Sequence, residues 1–345
     1  MNLQTLAGLL SAELRGPGDT PIDGVGDIER LSPDDALQDR RIYFVESSAV
    51  LKRHPKAAER GAILTIPALA EKFPRALVVV PDRARLAFIE LLKAFDRRPV
   101  FAAGVDAGAS VHPSATVSAD ATVLAGAVVM EGASVEERCL LYPGVVVEPH
   151  ARIGAGTVLY PNVVIGHHCA IGRDCILHGG TVIGADGFGF FDQPGKRHKI
   201  PHIGNVELAD HVELGAGCTV DRATIETTRI GEYTKLDDQV HVGHNAQLGR
   251  YIYIVGNTAV GGSVVVGDGA MISGMVIIKD HLVIAPGTVV MGASAVAQDT
   301  EPKTAYFGIP ARPARQMHKM NAALERLPEL IAKVRELEAK LAGPA

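Results

Sequence analysis

Residues 141–171 read LYPGVVVEPHARIGAGTVLYPNVVIGHHCAI, and every sixth residue of this stretch is Leu, Val or Ile. Four residues after each of these aliphatics the side chain is mostly small, as at Ala151 and Cys169. The same spacing runs through three segments, residues 105–183, 208–220 and 230–296. Short strands that each point one branched aliphatic inward stack at roughly 4.8 Å per coil. The repeat therefore predicts a parallel β-helix with three strands in each coil.

Glycine and cysteine occupy fixed places in this repeat. A glycine often follows the inward aliphatic, as at Gly154 and Gly166, and we expect it to permit unusual turn dihedrals. Three of the four cysteines fall in the small inward slot, and no CxxC spacing occurs. The cysteines are therefore expected to be packing residues and not redox groups or metal ligands.

The repeat is flanked by segments of a different kind, so three domains are expected: 1–100, 101–310 and 311–345. In the first, Leu3, Leu6, Leu9 and Leu10 make a helical face; we predict strands at Ile42–Val45, Ala62–Ile66 and Ala76–Val80, and a helix at Arg83–Phe95. This is the pattern of a small α/β domain. In the last, apolar residues recur at three and four from Met317 onward, and Pro328 is expected to separate two helices or to lie in the first turn of the second.

Composition excludes several function classes. The chain has 345 residues and a net charge of −5, without a basic stripe, so nucleic-acid binding is not expected. The longest apolar runs fall far short of the roughly 20 residues that a membrane span needs. Residues 1–16 lack a basic start and carry Glu13, which is not typical of a signal peptide. A cytoplasmic protein without an integral membrane segment is the expectation.

Residues 237–244 contain two carboxylates and two histidines. In the coil register Val242 points inward, so His244 falls near a corner, where its side chain can face outward. His281 follows 37 residues later, and two coils take 36, which places both imidazoles on nearly the same edge, about 10 Å apart along the axis. Such a pair suits a groove between adjacent subunits, whereas solvated surface histidines are the alternative. No His-x4-His spacing occurs, so no zinc or other metal is expected.

The repeat is interrupted between Ala185 and Pro201 by a glycine-rich, aromatic and basic segment. It contains Asp186, Phe188, Phe190 and Lys199. Such a loop could cover a substrate or grip a phosphate, or it could be a plain excursion of the chain.

Five motifs together resemble the UDP-3-O-acylglucosamine N-acyltransferases of lipid A synthesis. They are Gly-Ala-Asp-Gly-Phe-Gly-Phe (184–190), Lys-Ile-Pro (199–201), Thr-Val-Asp-Arg (219–222), Lys-Leu-Asp (235–237) and Gly-His-Asn (243–245). The resemblance covers nearly the whole chain and implies a uridine-binding N-terminal domain, a left-handed β-helix and a C-terminal helical tail. It implies a homotrimer with active sites between subunits and no cofactor. It also implies transfer of a 3-hydroxyacyl chain from acyl carrier protein to the 2-amine of a UDP-sugar.

The resemblance further assigns four catalytic positions. His244 would be the general base that takes the amine proton, a role suited to imidazole because it titrates near neutrality. Asp237 would orient or polarise His244, and His281 would bind or polarise the reacting groups. The backbone N–H of Gly262 would donate to the oxyanion.

Binding positions follow in the same way. For the sugar nucleotide they are Phe44, Asp186, Phe188, Phe190, Lys199, Asp238 and Gln239. Phe44 would stack on uracil, although Ser47–Val50 stands where the family usually carries an Asn-Pro-Lys-Tyr-like motif. A basic cluster just past the β-helix would receive the acidic carrier protein, and it contains Lys303, Arg312, Arg315 and Lys319.

Two other functions remain open at this point. One is a related acyltransferase that acts on another nucleotide-linked amino sugar or uses another acyl donor, such as acetyl-CoA. The other is a non-catalytic trimeric scaffold.

Overall fold

In a computed structural model, which describes residues 1–30, 40–54 and 61–342, the six-residue repeat forms a left-handed parallel β-helix. Strands 18 residues apart pair in register, as Val128–Val129 does with Val146–Val147. The inward aliphatics and the small slot residues form one continuous core along the axis. The predicted fold class is confirmed.

The coils have three flat faces, each a parallel sheet along nearly the whole of its length. Face I has the strands Ser110–Val111, Val128–Val129, Val146–Val147, Val164–Ile165, Val182–Asp186, Thr219–Arg222, His241–Val242, Ala259–Val260, Ile277–Ile278 and Ala295–Val296. Face II has Thr116–Val117, Ser134–Val135, Arg152–Ile153, Ala170–Ile171, Asn205–Leu208, Thr227–Ile230, Gln247–Leu248, Val265–Val266 and Val283–Ile284. Face III has Gly104–Val105, Thr122–Val123, Leu140–Leu141, Val158–Leu159, Ile176–Leu177, Glu213–Leu214, Lys235–Leu236, Tyr253–Ile254, Met271–Ile272, Val289–Val290, Ala305–Phe307 and, antiparallel at its end, Arg312–Pro313.

The glycines after the inward aliphatics have a structural role other than the expected one of permitting unusual turn dihedrals. Gly154 has no positive φ; a Cβ built on it would lie 2.6 Å from the carbonyl carbon of Gly172 in the next coil. These glycines therefore allow coils to approach closely. The left-handed conformation falls two residues later in the turn, as at Asn162 and His168, with φ of 63° and 60°. The prediction about turn dihedrals was wrong for most of these glycines.

All four cysteines are buried in the core of the β-helix. Burial raises the pKa of Cys139, Cys175 and Cys218 to about 11. A buried thiol whose pKa is raised remains protonated near neutral pH, so it is a poor nucleophile and a poor metal ligand. This agrees with a packing role.

Residues 1–100 form a separate compact unit, and residues 101–345 form the other. The first contains five strands, β1 (Glu13–Arg15), β2 (Gly24–Gly26), β3 (Arg41–Val45), β4 (Ala62–Thr65) and β5 (Ala76–Val78). They form one mixed sheet of order β1-β5-β4-β3-β2. The helices of this unit are α1 (Leu3–Leu10), α2 (Ser48–Arg53), α3 (Pro67–Ala70) and α4 (Ala84–Ala94), and short 3₁₀ turns lie at Ile28–Arg30 and Pro81–Arg83. Leu9, expected on the buried face of α1, is exposed, and Ala7 packs inward instead.

The β-helix is followed by α5 (Ala314–Glu325) and α6 (Leu327–Ala342). Pro328 lies in the first turn of α6, as predicted. None of the helices in the described ranges is long and apolar enough to cross a membrane.

Candidate active site

His244 lies in the turn between faces I and II, directly after the strand His241–Val242. Val242 is fully buried, so the turn that follows directs the half-buried His244 away from the core. The imidazole lines a cavity of about 250 Å³ whose other walls come from four successive coils and the interrupting segment. These walls are Phe188, Asp221, His241, Gly243, Gly262, Asp280 and His281.

Asn245 determines which nitrogen of His244 carries the proton. Its Oδ1 accepts a hydrogen bond from the Thr224 backbone N–H at 3.0 Å, and its Nδ2 donates to the Ile225 carbonyl at 3.0 Å. These two bonds establish the orientation of the amide, so Oδ1 must accept from Nδ1 of His244, 3.1 Å away. The neutral ring therefore has its lone pair on Nε2.

Two glycines leave the space that this ring occupies. A Cβ on Gly262 would lie 2.8 Å from Nε2 of His244, and a Cβ on Gly187 would lie 2.7 Å from its Cβ. The backbone of Gly262 thus runs directly beside the free nitrogen. The Gly262 N–H makes none of the backbone hydrogen bonds found in the described part of the chain. It is available to a ligand oxygen.

His281 reaches the same cavity from the next coil but one. Its backbone N–H donates to the Gly262 carbonyl at 2.9 Å, and its exposed ring lies 3.9 Å from the carboxylate of Asp280. Both histidines therefore stand on one edge of the β-helix, as the spacing predicted.

The interrupting segment is a β-hairpin, Phe190–Gln193 with Lys196–Lys199. At its base Lys199 makes an ion pair with Asp186, and this pair holds the pKa of Asp186 below its usual value. Phe188 and Phe190 pack edge to face at 5.1 Å, and Phe188 is 86% exposed beside the cavity. The hairpin thus presents an apolar ring to the site, while Lys199 is held at the hairpin base.

Asp221 and His202 belong to the site although no role was predicted for them. Asp221 lies on the strand that pairs with His241–Val242, and its carboxylate is 3.7 Å from Nε2 of His241. His202 is 6% exposed and packs edge to face on His244 with ring centroids 5.2 Å apart. In the sequence, Asp221 belongs to the Thr219–Arg222 motif and directly follows the inward aliphatic Val220. A polar residue at that place was the signal that could have identified it as a site residue.

Asp237 does not contact His244 within one chain. It follows the face III strand Lys235–Leu236, at a different corner of the coil, and its Oδ2 accepts the Gly256 N–H at 3.0 Å. Asp238 lies beside it and accepts the Ala216 N–H at 2.7 Å. The prediction that Asp237 holds the second ring nitrogen of His244 is therefore not met inside a chain, because that nitrogen donates to Asn245.

Asp237 and Asp238 line a second cavity of about 530 Å³ on face III, together with Lys235, Glu213 and Tyr253. Gln239 is exposed in the adjoining turn with φ of 58°. The predicted residues thus separate into two groups on one chain: His244, Gly262, His281 and Phe188 at one corner, and residues 237–239 at another.

Phe44 lies in the N-terminal unit and stacks on Phe88, with ring centroids 4.6 Å apart and planes 11° from parallel. Both rings line a cleft of about 500 Å³ whose rim includes Glu29 and Glu46. Ser47 accepts the Ala49 N–H and so begins the helix α2 in place of the family's motif.

The predicted carrier cluster lies at the end of the β-helix. Lys303, Arg312, Arg315 and Lys319 are all exposed, the last two on α5. In the described ranges no group of three or more His, Cys, Asp or Glu side chains is arranged to hold a metal ion.

Known proteins resemble this chain over nearly its full length. A family model described as bacterial transferase hexapeptide (six repeats) matches residues 150–185. A UDP-3-O-acylglucosamine N-acyltransferase of Pseudomonas aeruginosa is 33% identical over 342 residues, which is 99% of this chain and 95% of the relative. One of Nitrosococcus oceani is 54% identical over 159 residues, 46% of each chain. Among solved structures, a UDP-N-acetylglucosamine acyltransferase of Francisella novicida matches in fold, with a TM-score of 0.51 and 21% identity over 61% of this chain and 69% of that one.

Proposed function

The chain belongs to the family of UDP-3-O-acylglucosamine N-acyltransferases, and from this membership we propose that it transfers a 3-hydroxyacyl chain from acyl carrier protein to the 2-amine of UDP-3-O-(3-hydroxyacyl)-glucosamine. In this reaction the amine nitrogen attacks the thioester carbonyl. A C–N amide bond forms, and the C–S bond to the carrier breaks.

His244 is the proposed general base. As the nitrogen bonds to carbon its N–H becomes acidic, and the free Nε2 of His244 takes the proton. The oxyanion that forms on the carbonyl is proposed to accept a hydrogen bond from the N–H of Gly262, whose backbone passes beside the His244 ring. Collapse of the intermediate expels the carrier thiolate, which takes the proton back from His244 and restores the base.

The observation that carries this proposal is the tautomer of His244 together with the position of Gly262 beside its ring. Asn245 holds the proton on Nδ1, and Gly262 leaves room for a reacting group at Nε2. A solvated surface histidine would need neither the amide partner nor the two flanking glycines. His281, at the rim of the same cavity, is proposed to position the substrate.

The second group of residues suggests a site shared between copies of the chain. Asp237, Asp238 and Gln239 cannot join His244 within one chain, because they occupy another corner of the coil. We propose that a neighbouring subunit of a homotrimer supplies them, where Asp237 and Asp238 face the sugar. In the N-terminal unit, the stacked Phe44 and Phe88 are proposed to hold the uracil.

A turnover assay with defined substrates tests this function. We expect amide formation with a 3-hydroxyacyl carrier protein and UDP-3-O-(3-hydroxyacyl)-glucosamine, read by mass spectrometry. Acetyl-CoA and other nucleotide-linked amino sugars serve as matched alternative substrates. Faster turnover with one of these would identify a related acyltransferase instead, and no turnover with any of them would favour a non-catalytic scaffold.

A further inference from the structure

Asp221 is a largely buried residue, 8% exposed, and its carboxylate makes none of the side-chain hydrogen bonds found in the described part of the chain. The carboxylate lies 3.7 Å from Nε2 of His241. The strand Thr219–Arg222 pairs with Val182–Asp186, where the register shifts between Ile183 and Ala185. Asp221 directly follows the buried Val220 and lines the cavity that also holds His244.

Other aspartates of the β-helix are placed differently. Asp210 and Asp268 each accept a hydrogen bond from a backbone N–H of a neighbouring coil, at 2.7 and 2.8 Å. Those carboxylates stabilise turns. Asp221 makes no such bond with the described residues, and an ionised carboxylate that is largely removed from water without donors costs stability. Asp221 therefore does not stabilise a turn in the way that Asp210 and Asp268 do.

The charged surroundings of Asp221 come from several elements. His241, His244 and His202 favour its ionised form, in that order, whereas Asp186 opposes it. Burial is the largest influence, and it raises the pKa of Asp221. The neighbouring Arg222 is fully buried and directs its guanidinium to the carbonyls of Gly184 and Gly204 and to His167. Asp280 and His281 complete the titratable groups of the cavity.

We propose that Asp221 is the charge partner of His244. This inference rests on the proposed role of His244 as general base. Asn245 fixes the tautomer of the ring, but a neutral amide provides no charge to balance an imidazolium. The carboxylate of Asp221, which lines the same cavity, stabilises the positive ring as the amine proton arrives. Asp221 is thus a positioning and electrostatic residue, in the role that Asp237 does not fill within the chain.

The test is Asp221→Asn, which keeps the shape and removes the charge. We expect kcat to fall about 10-fold or more at the pH optimum, because the protonated base loses its partner. We expect the acid limb of the kcat profile to move to lower pH, since a ring without a neighbouring carboxylate stays neutral in more acid solution. Asp174→Asn is the matched control: Asp174 lies 4.0 Å from His211 on the same β-helix, outside the cavity, and its replacement should change neither quantity.

Stability gives a readout that a structural residue would not show. Because the folded-state pKa of Asp221 is raised, its contribution to stability is present at low pH and is lost as pH rises through that value. Asp221→Asn should therefore melt at the same temperature as the wild type or higher at pH 8, and the gain should vanish near pH 4. Lower stability of Asp221→Asn at pH 8, or failure to fold, would overturn the proposal by making Asp221 structural. Asp221→Ser, neutral and smaller, should lose kcat to a similar extent.

His244→Ala, assayed in parallel, separates this inference from the proposed function. Normal turnover by His244→Ala would overturn the base assignment and the role of Asp221 with it. If His244→Ala is inactive while Asp221→Asn keeps both wild-type kcat and an unshifted acid limb, only the role of Asp221 is overturned.

Discussion

At the scale of single residues, the candidate site needs only a few departures from the regular repeat of the β-helix. His244 occupies a turn position, two residues after the inward aliphatic, that other coils fill with ordinary polar residues such as Glu131 or Asp280. The reactivity proposed for His244 depends on Asn245, which orients the ring, and on Gly262, which has no side chain to cover the free nitrogen. One histidine is thereby distinguished from the other twelve in the chain.

His244→Ala should lower kcat by about 10²- to 10⁴-fold, because a general base is lost from the step that forms the amide. The fold and the assembly should survive, since the side chain lies outside the stacked aliphatic core. Circular dichroism, light scattering and turnover measured on the same preparation check this. His241→Ala should cost far less, because His241 contacts Asp221 and not the reacting nitrogen. A folded His244→Ala protein with near-normal turnover would return His244 to an ordinary surface residue.

At the scale of elements, the strand extension and hairpin over residues 182–199 convert a uniform solenoid into an enzyme site. The strand Val182–Asp186 runs past the end of its usual two-residue pairing and brings Gly187 against His244. Phe188, between this strand and the hairpin, lines the cavity. The coils supply the rigid positions of His244 and Gly262, and the interruption closes one side of the site.

Gly187→Ala tests this closure. The added methyl would lie 2.7 Å from Cβ of His244 and 2.8 Å from Nε2 of His202, so one of these groups must move. Since a displacement of about 1 Å can cost 10²-fold in rate, we expect kcat to fall by that order with little change in melting temperature. Gly292→Ala is the control, because its methyl would meet nothing closer than 3.4 Å. Equal activity of the two variants would show that the segment does not hold His244 in place.

At the scale of the whole molecule, several large apolar side chains are exposed among the residues that the structure describes. Ile277 and Met271, on faces I and III, are 61% and 51% exposed. On α6 the apolar residues at three- and four-residue spacing, Ile331 and Val334 among them, are also exposed. Exposed apolar surface of this extent is typical of an interface.

We predict a homotrimer of chains that are each 36.4 kDa. Light scattering coupled to size exclusion measures its mass directly. Mixing inactive His244→Ala with inactive Asp237→Asn chains adds a functional test, because a shared site should regain activity in mixed trimers. A monodisperse monomer would contradict both the assembly and the shared site.

The basic cluster at the end of the β-helix is predicted to receive the carrier protein. Arg312→Glu combined with Arg315→Glu should raise KM for the acyl carrier protein and leave kcat near that of the wild type, because attraction to an acidic partner is lost. Added salt should raise KM for the wild type and have less effect on the double variant. The exposed pair Arg97→Glu and Lys93→Glu, in the N-terminal unit, is the control. An unchanged KM in the double variant would exclude this surface.

The sequence alone was sufficient for the β-helix, because its determinant is local and repeated: one branched aliphatic every six residues leaves little choice of fold. It also identified His244 and His281 as neighbours, since a solenoid converts sequence spacing into distance along an edge. The turn glycines were misread, because close contact between coils is a property of residues 18 apart and not of the turn itself.

The surroundings of His244 were decided by the tertiary structure. Asp237 is the nearer carboxylate in sequence, yet a separation of seven residues places it at another corner, whereas Asp221, 23 residues away, lies one coil below. The register shift beside Gly184 and the packing of His202 on His244 likewise depend on a segment that leaves the repeat. The spacing of residues in the sequence predicts their position along the coils. Where the repeat is interrupted, the direction of a side chain depends on which strands pair there, and that pairing exists only in the folded chain.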